Sequence, residues 1–221
     1  MKNISASTGK ISLSISEIFF SLQGEGPWVG LPAVFIRLAG CIEPYCPWCD
    51  TRYALTCTGE MGIDDILLSL RTYACPRAVI TGGEPFLQWE SGLSVLHDGL
   101  LQQGFALQYE TSGKVKIPDI KGALVVCSPK HIGGAWHFER DNTARVDCYK
   151  FLAEGSGWQE AVDGFIKINR IEGDKIFVMP LGATRVEQIV NMEEVFSYCL
   201  KKGYRMSPRL HILAFDTRRG V

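Results

Sequence analysis

The sequence has no excess of charge of either sign. Its 221 residues include 23 Lys and Arg against 24 Asp and Glu, which leaves a formal net charge of -1 at pH 7. A protein with so little net charge gives no electrostatic reason to expect nucleic acid or an anionic membrane as its partner. We therefore expect any ligand to be recognised by local side-chain chemistry.

The sequence also lacks a long apolar run. No stretch approaches the roughly 18 apolar residues that a membrane-spanning helix requires. No apolar segment follows the basic start of the N-terminus, MKNISASTGK. This pattern predicts a cytoplasmic protein that makes no membrane contact and is not exported.

Internal repeats, low-complexity tracts and Pro/Ser-rich linkers are absent from the sequence as well. Hydrophobic residues make up 46% of it and charged residues 21%, a composition that supplies a sizeable core. Because nothing marks a second domain, we expect residues 1–221 to form a single domain.

The sequence does contain alternating strand-like and helix-like segments. Short apolar runs predict strands over residues 15–21, 33–39, 77–81, 105–109, 123–127, 148–153, 175–179 and 209–215. Helical spacing of apolar residues predicts helices over residues 63–70, 89–103, 158–165 and 186–201. This alternation is typical of a parallel α/β sheet.

Polar segments follow each of the first five predicted strands. These segments are residues 21–26, 40–51, 82–85, 110–113 and 128–130. Ligands of parallel α/β proteins bind at the carboxyl ends of the strands, so we expect all five segments to converge on one face. Residues 131–146 are the one long irregular stretch, and we expect them to cover the site.

Three of the eight cysteines, Cys41, Cys46 and Cys49, lie close together in one predicted loop. In a protein that is not exported, cysteines are expected to be thiols. Three thiolates in one loop can hold three corners of a [4Fe-4S] cluster and leave the fourth iron open to a small molecule. A structural zinc site is the main alternative, but it needs four ligands, and Cys57 completes it only if the chain folds back. Three buried apolar cysteines are the other alternative.

The spacing Cys-x4-Cys-x2-Cys after a predicted strand resembles the cluster loop of the radical S-adenosylmethionine (SAM) superfamily. More narrowly, the chain resembles the 7-carboxy-7-deazaguanine synthases almost from end to end. The segments that carry this resemblance are ISEIFFSLQGEGPWVGLPAVFIRLAGC, CPWCDT, TGGEP, ETSG, SPK and HILAFDTRRGV. The resemblance implies a reduced (β/α)6-like partial barrel with the cluster and SAM at the carboxyl ends of its strands. The interval IEPY between the first two cysteines is longer than the commonest superfamily spacing, and members of this family vary it.

The resemblance also implies which residues hold the cofactors. Cys41, Cys46 and Cys49 would ligate the cluster, and Gly83 and Glu84 correspond to the superfamily element that holds the amino group of SAM. The other implied SAM contacts are Trp48, Asp50, Thr111, Ser112, Ser128, Pro129, Lys130, Met179, Pro180, Leu181 and Gly182. As bare sequence, these segments are also ordinary turns and strand ends.

Substrate contacts are implied in the same way. The residues that would bind a carboxylated tetrahydropterin are Leu22, Gln23, Gly24, Arg37 and Thr81. Arg37 also stands out without the resemblance, because it interrupts the apolar run AVFIRLAG. A charge there is costly unless it is paired, so Arg37 either faces water at a sheet edge or meets an anion such as a substrate carboxylate.

A divalent ion is implied as well, with the Thr51 hydroxyl as its ligand. Composition alone assigns Asp50 and Thr51 to a turn or a helix N-cap. The resemblance adds a Mg²⁺ ion that bridges Thr51 to substrate oxygens, which suits a hard cation with few protein ligands.

The implied function is that of a radical SAM lyase in the biosynthesis of queuosine and other 7-deazapurines. A reduced cluster would cleave SAM to methionine and a 5'-deoxyadenosyl radical, which takes hydrogen from carbon 6 of 6-carboxy-5,6,7,8-tetrahydropterin. Ring contraction and loss of ammonia would then give 7-carboxy-7-deazaguanine. No catalytic side chain is implied, because the cofactors carry the radical chemistry. The expected partners are the pterin, an electron donor such as flavodoxin or ferredoxin and, by analogy, a second copy in a homodimer.

Two other functions stay open at this point. An activase of the same superfamily, which makes a glycyl radical on a partner protein, shares the cluster and SAM but needs an open protein-binding groove. The segment QGEG and Arg37 favour a small anionic substrate instead. The second is a non-catalytic zinc or iron module, which would be colourless if zinc were bound, whereas a cluster enzyme is brown.

Overall fold

The protein is described from a computed structural model that covers residues 11–56 and 59–218. Cys57 lies outside the described residues. The strands are β1 (Ser12–Leu22), β2 (Pro32–Leu38), β3 (Gly59–Gly62), β4 (Arg77–Gly82), β5 (Ala106–Thr111), β6 (Ala123–Cys127), β7 (Lys130–Ile132), β8 (Ala135–His137), β9 (Cys148–Ala153), β10 (Ile176–Pro180) and β11 (Arg205–Met206).

Nine of these strands form one mixed sheet in the described part of the chain. Its order is β11, β10, β9, β6, β5, β4, β2, β1, β3, and β7 and β8 pair separately as a hairpin. The seven strands from β11 to β2 are parallel to their neighbours. β1 runs antiparallel to both β2 and β3. The sheet therefore has a parallel body with an antiparallel edge.

Four helices cover the outer face of this sheet: α1 (Ile63–Leu70), α2 (Ser94–Gln102), α3 (Trp158–Asn169) and α4 (Arg185–Lys202). A fifth helix, α5 (Leu210–Phe215), lies on the side of the inner face. α1 and α2 bury Ile66 and Leu96 in the main core. α4 begins with a capping box between Thr184 and Glu187, which satisfies backbone N–H groups that the first helical turn leaves free.

Side chains alternate between the two faces of the central strands. In β2, Val34 and Ile36 join the core beneath the helices, whereas Arg37 lines a cavity on the opposite face. Glu110 of β5 and Lys150 of β9 line the same cavity. Because successive residues of a strand point to opposite faces, one face of the sheet forms the core and the other forms a site.

The predicted parallel sheet is confirmed for its body and is wrong for β1. The connection between β1 and β2 is a short loop, which can join antiparallel neighbours, whereas parallel strands need a longer crossover. Leu22 of β1 pairs with Pro32, the first residue of β2. Residues 21–26 therefore lie at the amino ends of the parallel strands. The prediction that they lie at the carboxyl ends is wrong.

The structure also differs from two other predictions, the strand over residues 209–215 and the helix over residues 89–103. Residues 209–215 are not a strand: α5 forms there, with the Leu213 N–H donating to the Arg209 carbonyl at 3.0 Å. A short apolar run does not distinguish a strand from a buried helical turn by its periodicity. The helix predicted from residue 89 begins with a single π-helical turn at Trp89–Leu93. α2 starts after a kink at Gly92, whose φ is 154°.

Residues 131–146 are more ordered than predicted. They form the β7–β8 hairpin, which turns through Gly133 and Gly134 at positive φ, and a short helix at Arg140–Arg145. The Trp136 ring lies 4.7 Å from the ring of Phe165 in α3. Aromatic packing of this kind is favourable, so the segment belongs to the outer layer of the fold.

Candidate active site

The inner face of the sheet bounds a cavity of ≈ 970 Å³. Side chains from β1, β2, β4, β5, β9 and β10 line it, so the sheet curls around it as a partial barrel. Pockets that bind small molecules have volumes of roughly 300–1,000 Å³. The cavity is therefore large enough for a cofactor and a small substrate together.

Cys41, Cys46 and Cys49 lie on the wall of this cavity as half-buried free thiols. Among the described residues, no three His, Cys, Asp or Glu side chains are grouped to hold a single metal ion. The thiolates of a cubane bind different iron atoms and so lie further apart than the ligands of one zinc ion. The three thiols are the donor set that a [4Fe-4S] cluster with one open iron requires.

The cysteine loop, residues 40–51, is held at its start by neighbouring elements. Lys114, which follows β5, donates from Nζ to the carbonyl oxygens of Ile42 and Pro44 at 3.3 and 2.5 Å. The Gly40 N–H donates to the Ala54 carbonyl at 2.8 Å. The four-residue interval between the first two cysteines is thus anchored from outside the loop.

Gly83 brings the loop after β4 against the cysteine loop. A Cβ at Gly83 would lie 1.8 Å from the Gly40 carbonyl oxygen and 2.8 Å from the Cys41 Cβ. No side chain fits there, so glycine is required by close approach of the two backbones. This packing explains why the segment GGEP and the first cysteine belong to one site.

Glu84 does not line the cavity. Its carboxylate is fully buried and accepts from the Thr111 hydroxyl at 2.7 Å and from the Ser112 N–H at 2.9 Å. Carboxylates that accept several hydrogen bonds hold their donors firmly. Glu84 therefore orders the polar turn after β5, which does line the cavity.

The residues predicted to contact SAM are brought largely together. Those on the cavity wall are Trp48, Asp50, Gly83, Thr111, Ser112, Ser128, Lys130, Met179, Leu181 and Gly182. Glu84, Pro129 and Pro180 are buried behind that wall. Lys130 donates to the Ser128 hydroxyl at 2.9 Å, so these two polar groups already form a pair.

All the residues predicted to contact the substrate line the cavity: Leu22, Gln23, Gly24, Arg37 and Thr81. Only 5% of Gln23 is exposed. Its amide nitrogen lies 3.3 Å from Glu110 Oε1, and its oxygen accepts from the Glu25 N–H at 3.2 Å. Gln23 is therefore fixed in orientation by its neighbours.

Arg37 is not at a sheet edge, because β2 lies between β1 and β4. Its Nε donates to Glu17 Oε1 at 2.7 Å, and the Tyr53 hydroxyl donates to the same oxygen at 2.7 Å. The guanidinium also lies 6.0 Å from the centre of the Phe19 ring. The charge that interrupts β2 thus meets an anion inside the cavity.

Glu25, Glu110, Lys150 and Arg209 form a buried charge cluster on the same cavity. Lys150 Nζ lies 2.6 Å from Glu25 Oε2 and 2.8 Å from Glu110 Oε2. Arg209 Nε lies 2.9 Å from Glu25 Oε1. Such charges are stable inside a protein only when they are paired and hydrogen-bonded, and here each group meets at least one opposite charge.

The two carboxyl groups of the buried charge cluster differ in their proton affinity. Burial alone would raise the pKa of Glu25, but Lys150 and Arg209 outweigh it and hold that pKa well below its usual value. Burial raises the pKa of Glu110, and Lys150 opposes the rise only in part. Burial would lower the pKa of Lys150, but the two carboxylates raise it. Glu110 is therefore the first of the two carboxylates to take up a proton as the pH falls.

The C-terminal segment, rather than the predicted cover, lines the cavity. None of residues 131–146 lines the cavity, whereas Arg209, His211, Ile212, Asp216 and Arg218 all do. The reason is that residues 131–146 pack their aromatic side chains against α3. The prediction that they cover the site is therefore wrong.

Sequence reasoning also missed Lys150 and Arg209 as site residues. Lys150 interrupts the buried run CYKFLA just as Arg37 interrupts β2, so the argument from a costly unpaired charge would have found it. Arg209 carries no such signal, because it lies in the polar segment before α5. Only the three-dimensional packing reveals its contact with the cavity.

No protein-family model matches the chain, but curated relatives do. The 7-carboxy-7-deazaguanine synthase of Hyperthermus butylicus is 33% identical in an alignment of 218 positions that covers 91% of this chain and 92% of that protein. The synthase of Pyrobaculum aerophilum is 33% identical in an alignment of 215 positions that covers 93% of this chain and 96% of that protein. The chain belongs to the 7-carboxy-7-deazaguanine synthase family.

A solved structure agrees with this membership of the 7-carboxy-7-deazaguanine synthase family. The crystal structure of QueE from Escherichia coli superposes with a TM-score of 0.73 at 27% identity, over 90% of this chain and 95% of that chain. The radical SAM partial barrel and the enzymatic nature of the protein are thereby confirmed, and the family implies a [4Fe-4S] cluster and SAM. In the described residues, no helix is both long enough and apolar enough to span a membrane.

Proposed function

We propose that this protein is a radical SAM lyase that converts 6-carboxy-5,6,7,8-tetrahydropterin to 7-carboxy-7-deazaguanine with loss of ammonia, in the biosynthesis of queuosine and other 7-deazapurines. The observation that carries the proposal is a single cavity lined by both the three clustered cysteines and the buried charge cluster. Radical transfer to a small substrate needs the two reactants side by side with water excluded.

The cofactor side of the cavity is assigned to the cysteine loop and the strand ends. We assign the cluster to Cys41, Cys46 and Cys49. We assign SAM to Trp48, Asp50, Gly83, Glu84, Thr111, Ser112, Ser128, Pro129, Lys130, Met179, Pro180, Leu181 and Gly182, of which Glu84 acts by ordering Thr111 and Ser112. When bound, the cluster and SAM supply one-electron radical chemistry. The chain supplies a fixed backbone at Gly83 and hydroxyl donors at the strand ends.

The substrate side is assigned to the inner face of β1, β2 and β4, with Leu22, Gln23, Gly24, Arg37 and Thr81 as contacts. The Phe19 and Phe35 rings stack 4.9 Å apart beside Arg37 and give a flat apolar surface to the cavity. A bicyclic pterin is flat, and its carboxylate suits a guanidinium. Arg37 would share its charge between Glu17 and the substrate.

The Mg²⁺ ion is assigned to Thr51. Its hydroxyl makes no capping bond to the short helix Arg52–Leu55 that follows, and Oγ1 lies 3.6 Å from Cys49 Sγ on the cavity wall. The hydroxyl is therefore placed beside the cluster ligands. A single protein ligand leaves the remaining positions of a magnesium ion to water and substrate oxygens.

The deciding experiment is an anaerobic incubation of the reconstituted full chain with dithionite, SAM, Mg²⁺ and 6-carboxytetrahydropterin. Mass spectrometry should find 7-carboxy-7-deazaguanine and no product when SAM is left out. If 5'-deoxyadenosine forms without that product, the radical SAM chemistry holds and the assigned substrate is wrong. If an intact cluster yields neither compound, the reaction itself is wrong.

Two other candidate functions receive less support from the site. A glycyl-radical activase needs an open groove that admits a partner protein. Here Arg209, His211 and Ile212 of the C-terminal segment line one side of the cavity. A zinc module needs ligands grouped around one ion, which the described residues do not offer. A brown anaerobic preparation that contains iron and no zinc would separate the enzyme from the module.

A homodimer is proposed from the surface of α4. This helix exposes Val186, Val190, Phe196 and Leu200, each more than half accessible. Exposed apolar patches of this kind mark interfaces between proteins. Replacing Phe196 with Glu should turn a dimer into a monomer in light scattering, while a monomeric unsubstituted protein would contradict the proposal.

The reductant and the cellular location are proposed from the cysteines. An external one-electron donor, such as flavodoxin or ferredoxin, must reduce the cluster, and the half-buried cysteine loop is the place where it would approach. A cytoplasmic location suits the seven free thiols in the described residues, because the cytosol keeps thiols reduced.

A further inference from the structure

Arg209 joins three separate parts of the cavity wall. Its Nε donates to Glu25 Oε1 at 2.9 Å and its Nη1 to the Gly182 carbonyl at 3.0 Å, while Nη2 donates to Asp50 Oδ2. Glu25 belongs to the loop after β1, Gly182 to the turn after β10, and Asp50 to the cysteine loop. One guanidinium therefore connects segments that are far apart in the sequence.

The guanidinium is suited to this task by its shape and its burial. Only 12% of the Arg209 side chain is exposed, so its charge depends on its partners rather than on water. A planar fork can donate to three acceptors in fixed directions, whereas the ammonium of a lysine is a single point charge. Losing the fork would leave the Glu25 and Asp50 carboxylates without this shared partner.

Its partners are adjacent to the residues that carry the proposed chemistry. Asp50 lies between Cys49, a proposed cluster ligand, and Thr51, the proposed magnesium ligand. Glu25 shares Lys150 with Glu110, and its N–H donates to the amide oxygen of Gln23 at 3.2 Å. Arg209 thus touches the cofactor side of the cavity on one end and the substrate side on the other.

The cysteine loop is held by cations at both ends. Lys114 binds carbonyl oxygens near its start, and Arg209 binds Asp50 near its end. The start of the loop is tied to backbone groups, while the end is tied to a side chain that also holds Glu25. A change at Glu25 can therefore be transmitted to Cys49 and Thr51.

We propose that Arg209 is a positioning residue that couples the substrate side of the cavity to the cysteine loop, holding Cys49 and Thr51 in place through Asp50. The inference deepens the proposed function, on which only its turnover measurement depends. Arg209 itself does not touch the reacting atoms in this assignment. It acts through Asp50 and Glu25.

The chain provides a matched control in Arg185. Arg185 holds the same C-terminal segment, because its Nε donates to the Leu213 carbonyl at 2.7 Å and its Nη2 to the Ala214 carbonyl at 2.9 Å. The acceptors of these two hydrogen bonds are backbone carbonyls of the C-terminal segment and not the carboxylates of Asp50 or Glu25. A purely structural role in fixing α5 would make Arg185→Gln and Arg209→Gln behave alike.

The test is hydrogen exchange in the full chain before cluster loading, read by mass spectrometry on peptides that span residues 41–56. Arg209→Gln should speed exchange there by about 10-fold, because a hydrogen bond to a charged group is among the stronger ones, and Arg185→Gln should leave it unchanged. Arg209→Lys should fall between the two. Peptides from α2 report any general loss of stability.

A second variant keeps the test decisive if Arg209→Gln folds poorly. Asp50→Ala removes the same contact from the other side and should speed exchange to the same degree, and the double variant should be no faster than either single one, since coupled changes are not additive. Unchanged exchange in Asp50→Ala, or equal exchange in Arg185→Gln and Arg209→Gln, would overturn the proposal.

Turnover gives a separate reading. Once the pterin reaction is established, Arg209→Gln should form more 5'-deoxyadenosine per product than the unsubstituted protein, because radical formation and substrate placement are no longer coupled. An unchanged ratio of 5'-deoxyadenosine to product in this variant would overturn the coupling. If no product forms even in the unsubstituted protein, the proposed function fails while the exchange measurements still decide the role of Arg209.

Discussion

The cysteine loop and the buried charge cluster share one cavity but are built in different ways. The three thiols of the loop are half-buried and close in sequence, and their chemistry depends on a cofactor that joins them. The charge cluster unites Glu25, Glu110, Lys150 and Arg209 across 185 residues of sequence, from 25 to 209 inclusive, and its ion pairs are already formed. The function of the loop thus depends on a bound cofactor, whereas the charge cluster is preorganised by the fold.

This difference predicts opposite responses to substitution. A residue whose partner is a cofactor affects activity when it is changed and has little effect on folding. A residue that balances a buried charge affects folding as well, because its partner is left unpaired in the interior. Four substitutions test the distinction, from the largest expected effect to the smallest.

Cys46→Ala should abolish both cluster binding and turnover, because a cubane with one open iron needs all three thiolates. The free energy of unfolding of the cluster-free chain should change by less than about 0.5 kcal/mol, as is usual for a site away from the core. Iron analysis, visible absorbance and urea unfolding measure the two effects.

The control for this substitution is Cys199→Ala. Cys199 is buried in the main core, so its loss should cost about 1 kcal/mol of stability and leave the cluster in place. Retention of a normal cluster by Cys46→Ala would contradict the assignment of the loop.

Lys150→Met should destabilise the protein by about 3–5 kcal/mol, the usual cost of removing one partner from a buried ion pair. Lys150 is 5% exposed and lies between two carboxylates. Urea unfolding of the cluster-free chain measures the change.

Lys175→Met is the matched control, because Lys175 pairs with Glu172 at 3.3 Å on the surface. An exposed pair of this kind contributes less than about 1 kcal/mol. If the two substitutions have equal effects, the buried charge cluster is not a structural unit and the comparison fails.

The same difference explains what was predictable from sequence. Cys41, Cys46, Cys49 and the segment GGEP are short local patterns, and the structure brings the three cysteines and the two glycines of that segment to one wall. The alternation of strands and helices was predictable because each strand shows an apolar run, and each helix a helical spacing of apolar residues, within its own segment. These features need no knowledge of which distant segments meet.

Long-range features were less accessible. Three of them depend on tertiary packing: the direction of β1, the helical form of α5 and the position of the C-terminal segment on the cavity wall. Arg209 is the clearest case, because its three partners lie at residues 25, 50 and 182. No local spacing predicts such a contact, whereas Lys150 in a buried strand did carry a local signal.

Thr51→Ala should weaken the dependence of turnover on Mg²⁺ and leave the cluster intact. Removing one oxygen ligand should raise the Mg²⁺ concentration for half-maximal activity by about 10-fold, a factor that corresponds to 1.4 kcal/mol of binding free energy. Thr51→Ser keeps the hydroxyl and should behave like the unsubstituted protein. Unchanged Mg²⁺ dependence in Thr51→Ala would remove the ion from this residue.

His211→Gln should have the smallest effect. It tests the surroundings of the buried charge cluster through the pH dependence of stability. Burial lowers the pKa of His211 below its ordinary value of 6.5, and the Glu25 carboxylate opposes that change only in part. As the pH falls through 6.5, the unfolded chain therefore binds a proton more readily than the folded chain, and the free energy of unfolding decreases. His211→Gln removes this contribution, so stability should fall less steeply with acid in the variant than in the unsubstituted protein.

Urea unfolding at several pH values checks the slope, and His97→Gln serves as a comparison. His97 is also buried with a lowered pKa, but its ring contacts Tyr109 and the Lys121 carbonyl on the helix side of the sheet. Both variants should therefore flatten the pH dependence, while only His211→Gln should also alter the KM for the substrate. A steeper acid slope in His211→Gln would mean that the Glu25 carboxylate outweighs burial and that the cavity stabilises a charged imidazole.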